Sequence, residues 1–150
     1  MNEPDLTPER IRTSCKLLRG ELSAVQSYEM AIKRHPALAA ALDLARISND
    51  HRRSARLLTS MVREMGGDPA IGAGAWGVFA NSIQTPTTFL GAASTVASLK
   101  QGEEQGRNDY EDALDDETTS ESFKALIRSD LLTSIEDHIT CLDTLLNEVA

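Results

Sequence analysis

Residues 21–32, ELSAVQSYEMAI, and residues 103–114, EEQGRNDYEDAL, repeat one pattern: a Glu, then Tyr-Glu seven residues on, then Ala and an aliphatic residue. Each copy leads to an Asp-His pair, Asp50-His51 and Asp137-His138, and then to a leucine seven past the histidine, Leu58 and Leu145. This separation fits two copies of a helical hairpin better than a short-period array. A duplicated hairpin that keeps one Glu and one His per copy points to an all-α, four-helix bundle with a central polar site.

The bulk properties agree with one domain over residues 1–150, a length that can bury a sizeable core. The net charge of −8 argues against nucleic acid and against an anionic membrane surface, since both require a basic face. There is no apolar run of about 18 residues to span a bilayer. The first residues, Met1-Asn2-Glu3-Pro4-Asp5, lack the basic start and apolar stretch of a secretory signal. Cys15 and Cys141 have no CxxC partner and read as reduced thiols in a cytoplasmic protein.

Helix 1 is expected from Thr7, placed at the cap, to about Arg34, where Pro36 ends it. Helix 2 runs on to about Met65 and stops at Gly66-Gly67-Asp68-Pro69. Helix 3 ends near Asp116; Thr118, Thr119 or Ser120 caps helix 4, with Glu121 in its first turn. No strand-like alternation competes. The small, apolar stretch 66–88, which holds the only Trp (Trp76), is expected to be a long crossover with a short helix near 73–82. Its glycine spacing fits no phosphate loop. Gly72, Gly74 and Gly77 would let another backbone approach, so this segment is expected either to cover a bundle face or to form a homodimer contact.

Phasing each helix at about 100° per residue puts Glu21, His51, Glu103 and His138 at the centres of four apolar stripes. A buried charge must be paired, hydrogen-bonded or bound to a metal. Folding the hairpins at Pro36 and near Ser120 sets Glu21 opposite His51 and Glu103 opposite His138. Tyr28 and Tyr110 lie two turns from each Glu on the same face, so their hydroxyls can serve the same layer. Arg107, one turn after Glu103, is expected to pair with it.

The Glu-x6-Tyr-Glu signature, the Asp-His on the partner helix and the Gly-Gly-x-Pro after helix 2 resemble the ferritin-like superfamily of carboxylate-bridged di-iron proteins. The resemblance looks closest to an uncharacterised bacterial family of short ferritin-like bundles. It implies a ferritin-like topology of two hairpins joined by a long crossover. It matches Glu21 and Glu103 to the terminal carboxylates and His51 and His138 to the histidine ligands. The bridging glutamates of that family lie three residues before each histidine, where this chain has Ser48 and Ile135. That departure argues against a di-iron oxidase.

Three functions follow from these residues. The first is a structural buried Glu/His layer, the remnant of a metal site. The second is one divalent ion (Zn²⁺, Fe²⁺ or Mn²⁺) held by Glu21, His51, Glu103 and His138. The third is a scaffold that uses the apolar crossover. His35 at the end of helix 1 suits the helix dipole. The acidic run 111–117 lacks the loop spacing of a calcium hand and reads as a solvated helix end.

Overall fold

The computed structural model describes residues 3–36, 39–69 and 91–149. Among these, four helices and no strand appear: α1 (Thr7–Arg34), α2 (Ala41–Glu64), α3 (Ala92–Asp115) and α4. The last is continuous through Glu121–Leu126, a π turn at Ile127–Leu131 and Leu132–Val149. The expected short helix at 73–82, Trp76 and the glycines Gly72, Gly74 and Gly77 of the expected dimer contact all fall outside the described residues. None of the described helices is long and apolar enough to cross a membrane.

Local chemistry sets the helix ends. Thr7 is not the cap of α1 but its first residue; its backbone N–H donates to Asp5 Oδ1 at 3.0 Å. A carboxylate two residues upstream thus takes one of the orphan donors of the first turn. At the end of α2, Gly66 has φ 82°, the left-handed conformation that glycine adopts without penalty. Gly66 N–H bonds Arg63 O and Gly67 N–H bonds Val62 O, which closes the last turn as a Schellman motif. Gly67 then passes so near α1 that an added Cβ would lie 2.8 Å from Ile11 Cγ2. Ser120 caps α4 by accepting from Phe123 N–H at 3.2 Å.

The π turn was not expected from the sequence. Phe123, Ile127, Leu131, Ile135 and Ile139 recur every four residues and all face one core cluster. In a regular α-helix each four-residue step drifts by about 40°, so the stripe would wind off the core. One wider turn absorbs the drift. Thr133 Oγ donates to Arg128 O at 3.0 Å, serving a carbonyl within the turn.

α1 packs chiefly on α2, and α3 on the final segment of α4, with α1 against α3 joining the pairs. Two apolar clusters result. One gathers Leu17, Leu18, Leu58, Tyr110, Ile127 and Leu131; the other gathers Tyr28, Leu44, Ile47, Val96, Leu142 and Leu145. A fully buried aliphatic side chain contributes about 1.5–3 kcal/mol. Two such clusters therefore outweigh the several kcal/mol that each buried ion of a polar layer costs.

Candidate functional site

Glu21, His51, Glu103 and His138 are each no more than 4% exposed. They come one from each helix and meet between the two apolar clusters. His51 is held from both sides: Nδ1 lies 2.6 Å from Glu21 Oε2 and Nε2 lies 2.7 Å from Glu103 Oε1. A carboxylate only accepts, so both ring nitrogens donate and the ring is an imidazolium. Burial works against that charge, but the hydrogen bonds to Glu103 and Glu21 outweigh it and raise the pKa to about 10. Burial likewise opposes the Glu103 carboxylate. The imidazoles of His138 and His51 outweigh it and lower its pKa to about 2.

The tyrosines reach across the repeat. Tyr28 OH donates to Glu103 Oε1 at 2.7 Å, and Tyr110 OH donates to Glu21 Oε1 at 2.5 Å. Each tyrosine therefore serves the glutamate of the other copy. Burial first, and then the facing carboxylate, hold both phenols well above their usual range, so they remain donors.

His138 is placed differently from His51. Its Nε2 lies 2.9 Å from Asp50 Oδ2 and 3.4 Å from Ser134 Oγ. Asp50 only accepts, so Nε2 carries a proton and Nδ1 is the nitrogen turned towards Glu103. That Nδ1 is buried and without a hydrogen bond, although Glu103 Oε1 is 3.4 Å away. Glu103 Oε2 and Ser48 Oγ are also buried without partners. The Asp50-His51 and Asp137-His138 pairs of the sequence thus part company: Asp50 crosses to the histidine of the other hairpin, while Asp137 is exposed.

Arg107 does not join the layer. It is half-buried and forms no ion pair with Glu103. Two turns from Lys100 on the same helical face, it bears on that lysine, which pairs with Asp143 at 2.5 Å. Glu103 Oε1 is already crowded by Tyr28, His51 and His138, and burial keeps a guanidinium at the edge. Ile135 is 3% exposed and Ser48 2%, so a hydrocarbon and a hydroxyl hold the two buried positions one turn before the histidines. His35 is remote from the layer and contacts Thr95 Oγ at 3.1 Å.

A cavity of about 420 Å³ lies between α1 and α3, with Glu21, Tyr28, His51, Glu103 and Tyr110 on its wall. Gly20 and Gly102 also line it, and a Cβ at either would meet nothing within 4 Å. Each of these glycines directly precedes one of the buried glutamates, a second mark of the duplication that the sequence pattern carried.

Ligand atoms of His51, Glu103 and His138 all lie within 4.8 Å of one another. Fold and site together define an all-helical bundle around a buried His/Glu/Glu/His cluster that could hold a metal ion. The chain belongs to the family described as a domain of unknown function, DUF2383, whose model matches residues 14–116. The matched segment holds Glu21, Tyr28, His51, Glu103 and Tyr110, and His138 lies beyond it. Nothing among the curated proteins and nothing among the solved structures matches the chain.

Proposed function

We propose that this protein is a ferritin-like bundle that binds one divalent transition-metal ion in its buried Glu/His layer. The facing of His138 Nδ1 and Glu103 Oε1 at 3.4 Å carries this conclusion. His138 Nδ1 and Glu103 Oε2 are both buried, each beside the other's residue, without a hydrogen-bond partner. Leaving such groups unsatisfied costs about 1–3 kcal/mol each, and a cation between them recovers that cost. Imidazole and carboxylate donors suit Zn²⁺, Fe²⁺ or Mn²⁺. When bound, such an ion supplies Lewis-acid or, for iron, one-electron chemistry.

A dinuclear centre does not fit. It needs bridging carboxylates to offset two dications, and Ser48 and Ile135 supply none. Metal analysis of protein purified without chelator tests the proposal. About one ion per chain supports it; a metal-free protein that takes up none on dialysis against Zn²⁺, Fe²⁺ or Mn²⁺ contradicts it.

His51 favours a second reading. With both nitrogens satisfied by carboxylates, that half of the layer is complete in the metal-free protein and can serve to fix helix register. Replacing Glu21 and His51 together by leucine separates the two. A purely structural layer becomes neutral or more stable on this change, with no ligand affinity to lose; a metal layer loses its ion.

A further inference from the structure

The two imidazoles share one arrangement. Each ring presents one nitrogen to Glu103 and the other to a different carboxylate. For His51, Nε2 faces Glu103 and Nδ1 faces Glu21 Oε2 at 2.6 Å. For His138, Nδ1 faces Glu103 and Nε2 faces Asp50 Oδ2 at 2.9 Å. A metal-bound histidine characteristically donates its other ring N–H to a carboxylate, which fixes the tautomer and raises ligand basicity. Glu21 is itself fixed by Tyr110 OH at 2.5 Å, and Asp50 is approached by Arg46 at 3.9 Å.

Resting on the metal-binding proposal, we infer that the ligands are His51 Nε2, His138 Nδ1 and Glu103, the ion replacing the proton that His51 Nε2 gives to Glu103 and releasing it to solvent, and that Glu21 and Asp50 are positioning residues outside the coordination sphere. The duplicated glutamates have then divided their work. Glu103, central to both rings, binds; Glu21 orients. Asp50 orients the histidine of the opposite hairpin, so the site is completed only when the two hairpins pack. Two imidazoles and one carboxylate leave the ion with coordination positions that the protein does not fill.

Titration with Co²⁺, read by dialysis and by visible absorption, tests the assignment in the full chain. Wild type should take one ion. Glu21→Gln keeps one acceptor oxygen in place of the two that serve His51 and Tyr110, and Asp50→Ala removes the acceptor for His138. Both should still take one ion with the wild-type visible spectrum, at an affinity about 10–100-fold lower. Asp137→Ala, at the matching but exposed position, should bind as wild type does. Glu103→Gln should lose binding, with far-UV circular dichroism confirming that it is folded. Loss of stoichiometric binding in Glu21→Gln, or a spectrum showing one ligand fewer, overturns the assignment and makes Glu21 a ligand. Undiminished affinity in Asp50→Ala removes Asp50 from any positioning role. Failure of wild type itself to bind Co²⁺ overturns the metal proposal, and this assignment with it.

Discussion

His51 and His138 occupy corresponding places in two copies of one hairpin, yet the bundle treats them oppositely. His51 is saturated, a buried cation between two carboxylates. His138 is satisfied on one side by a half-buried aspartate and carries an unpartnered nitrogen on the other. The sequence repeat supplies two similar halves, and packing sets one ring between two carboxylates and leaves the other with a buried nitrogen that makes no hydrogen bond. Glu103 is the hinge of that difference, because it alone approaches both rings.

Removing Glu103 should therefore have the largest effect. Glu103→Ala leaves the His51 cation with Glu21 alone and Tyr28 without an acceptor, and breaking a buried pair from one side costs about 3–5 kcal/mol. Urea unfolding of the metal-free protein should show this loss, and a smaller one for Glu21→Ala, which touches only His51 and Tyr110. Equal losses would mean that the halves are not differentiated.

pH sharpens the same contrast in the metal-free protein. The raised pKa of His51 gives stability that is full below about 6.5 and fades as pH climbs towards 10. The lowered pKa of Glu103 gives stability that is full above about 4.5 and fades as pH falls towards 2. The layer thus contributes most between about pH 4.5 and 6.5. The melting temperature should drop from pH 6 to pH 10, and His51→Leu should flatten that drop; an unchanged slope in this variant would detach it from His51.

The crossed tyrosines come next. Tyr28→Phe and Tyr110→Phe each remove a hydrogen bond to a buried carboxylate, at about 1.5–3 kcal/mol. Similar losses on chemical unfolding are expected, since this part of the duplication is kept intact. The smallest test compares the aspartates. Asp137→Asn should change stability by less than about 0.5 kcal/mol. Asp50→Asn should cost more, because it weakens the contact to His138.

The helices, their order and the convergence of two acids and two imidazoles were legible in the sequence, because a 3.6-residue period and an internal repeat are local signals. The tyrosine layer was legible too, though not its crossing, since spacing along a helix says nothing about which neighbour a long side chain meets. Asp50 was visible as the residue before His51, but its partner lies on another helix and only packing reveals it. Arg107 had the right phase to enter the layer and stays at its edge, because phase places a Cβ while desolvation decides where a guanidinium ends. The π turn had a signal, the four-residue spacing from Phe123 to Ile139, which helical phasing at a constant angle averages away.

The three histidines of the chain allow the central claim to be tested in one spectrum. Imidazole ¹⁵N resonances followed during Zn²⁺ titration should show His51 and His138 shifting together and saturating at one equivalent, with His35, remote from the layer, unmoved. Resonances of His51 and His138 that stay fixed while excess Zn²⁺ moves only His35 would contradict the account.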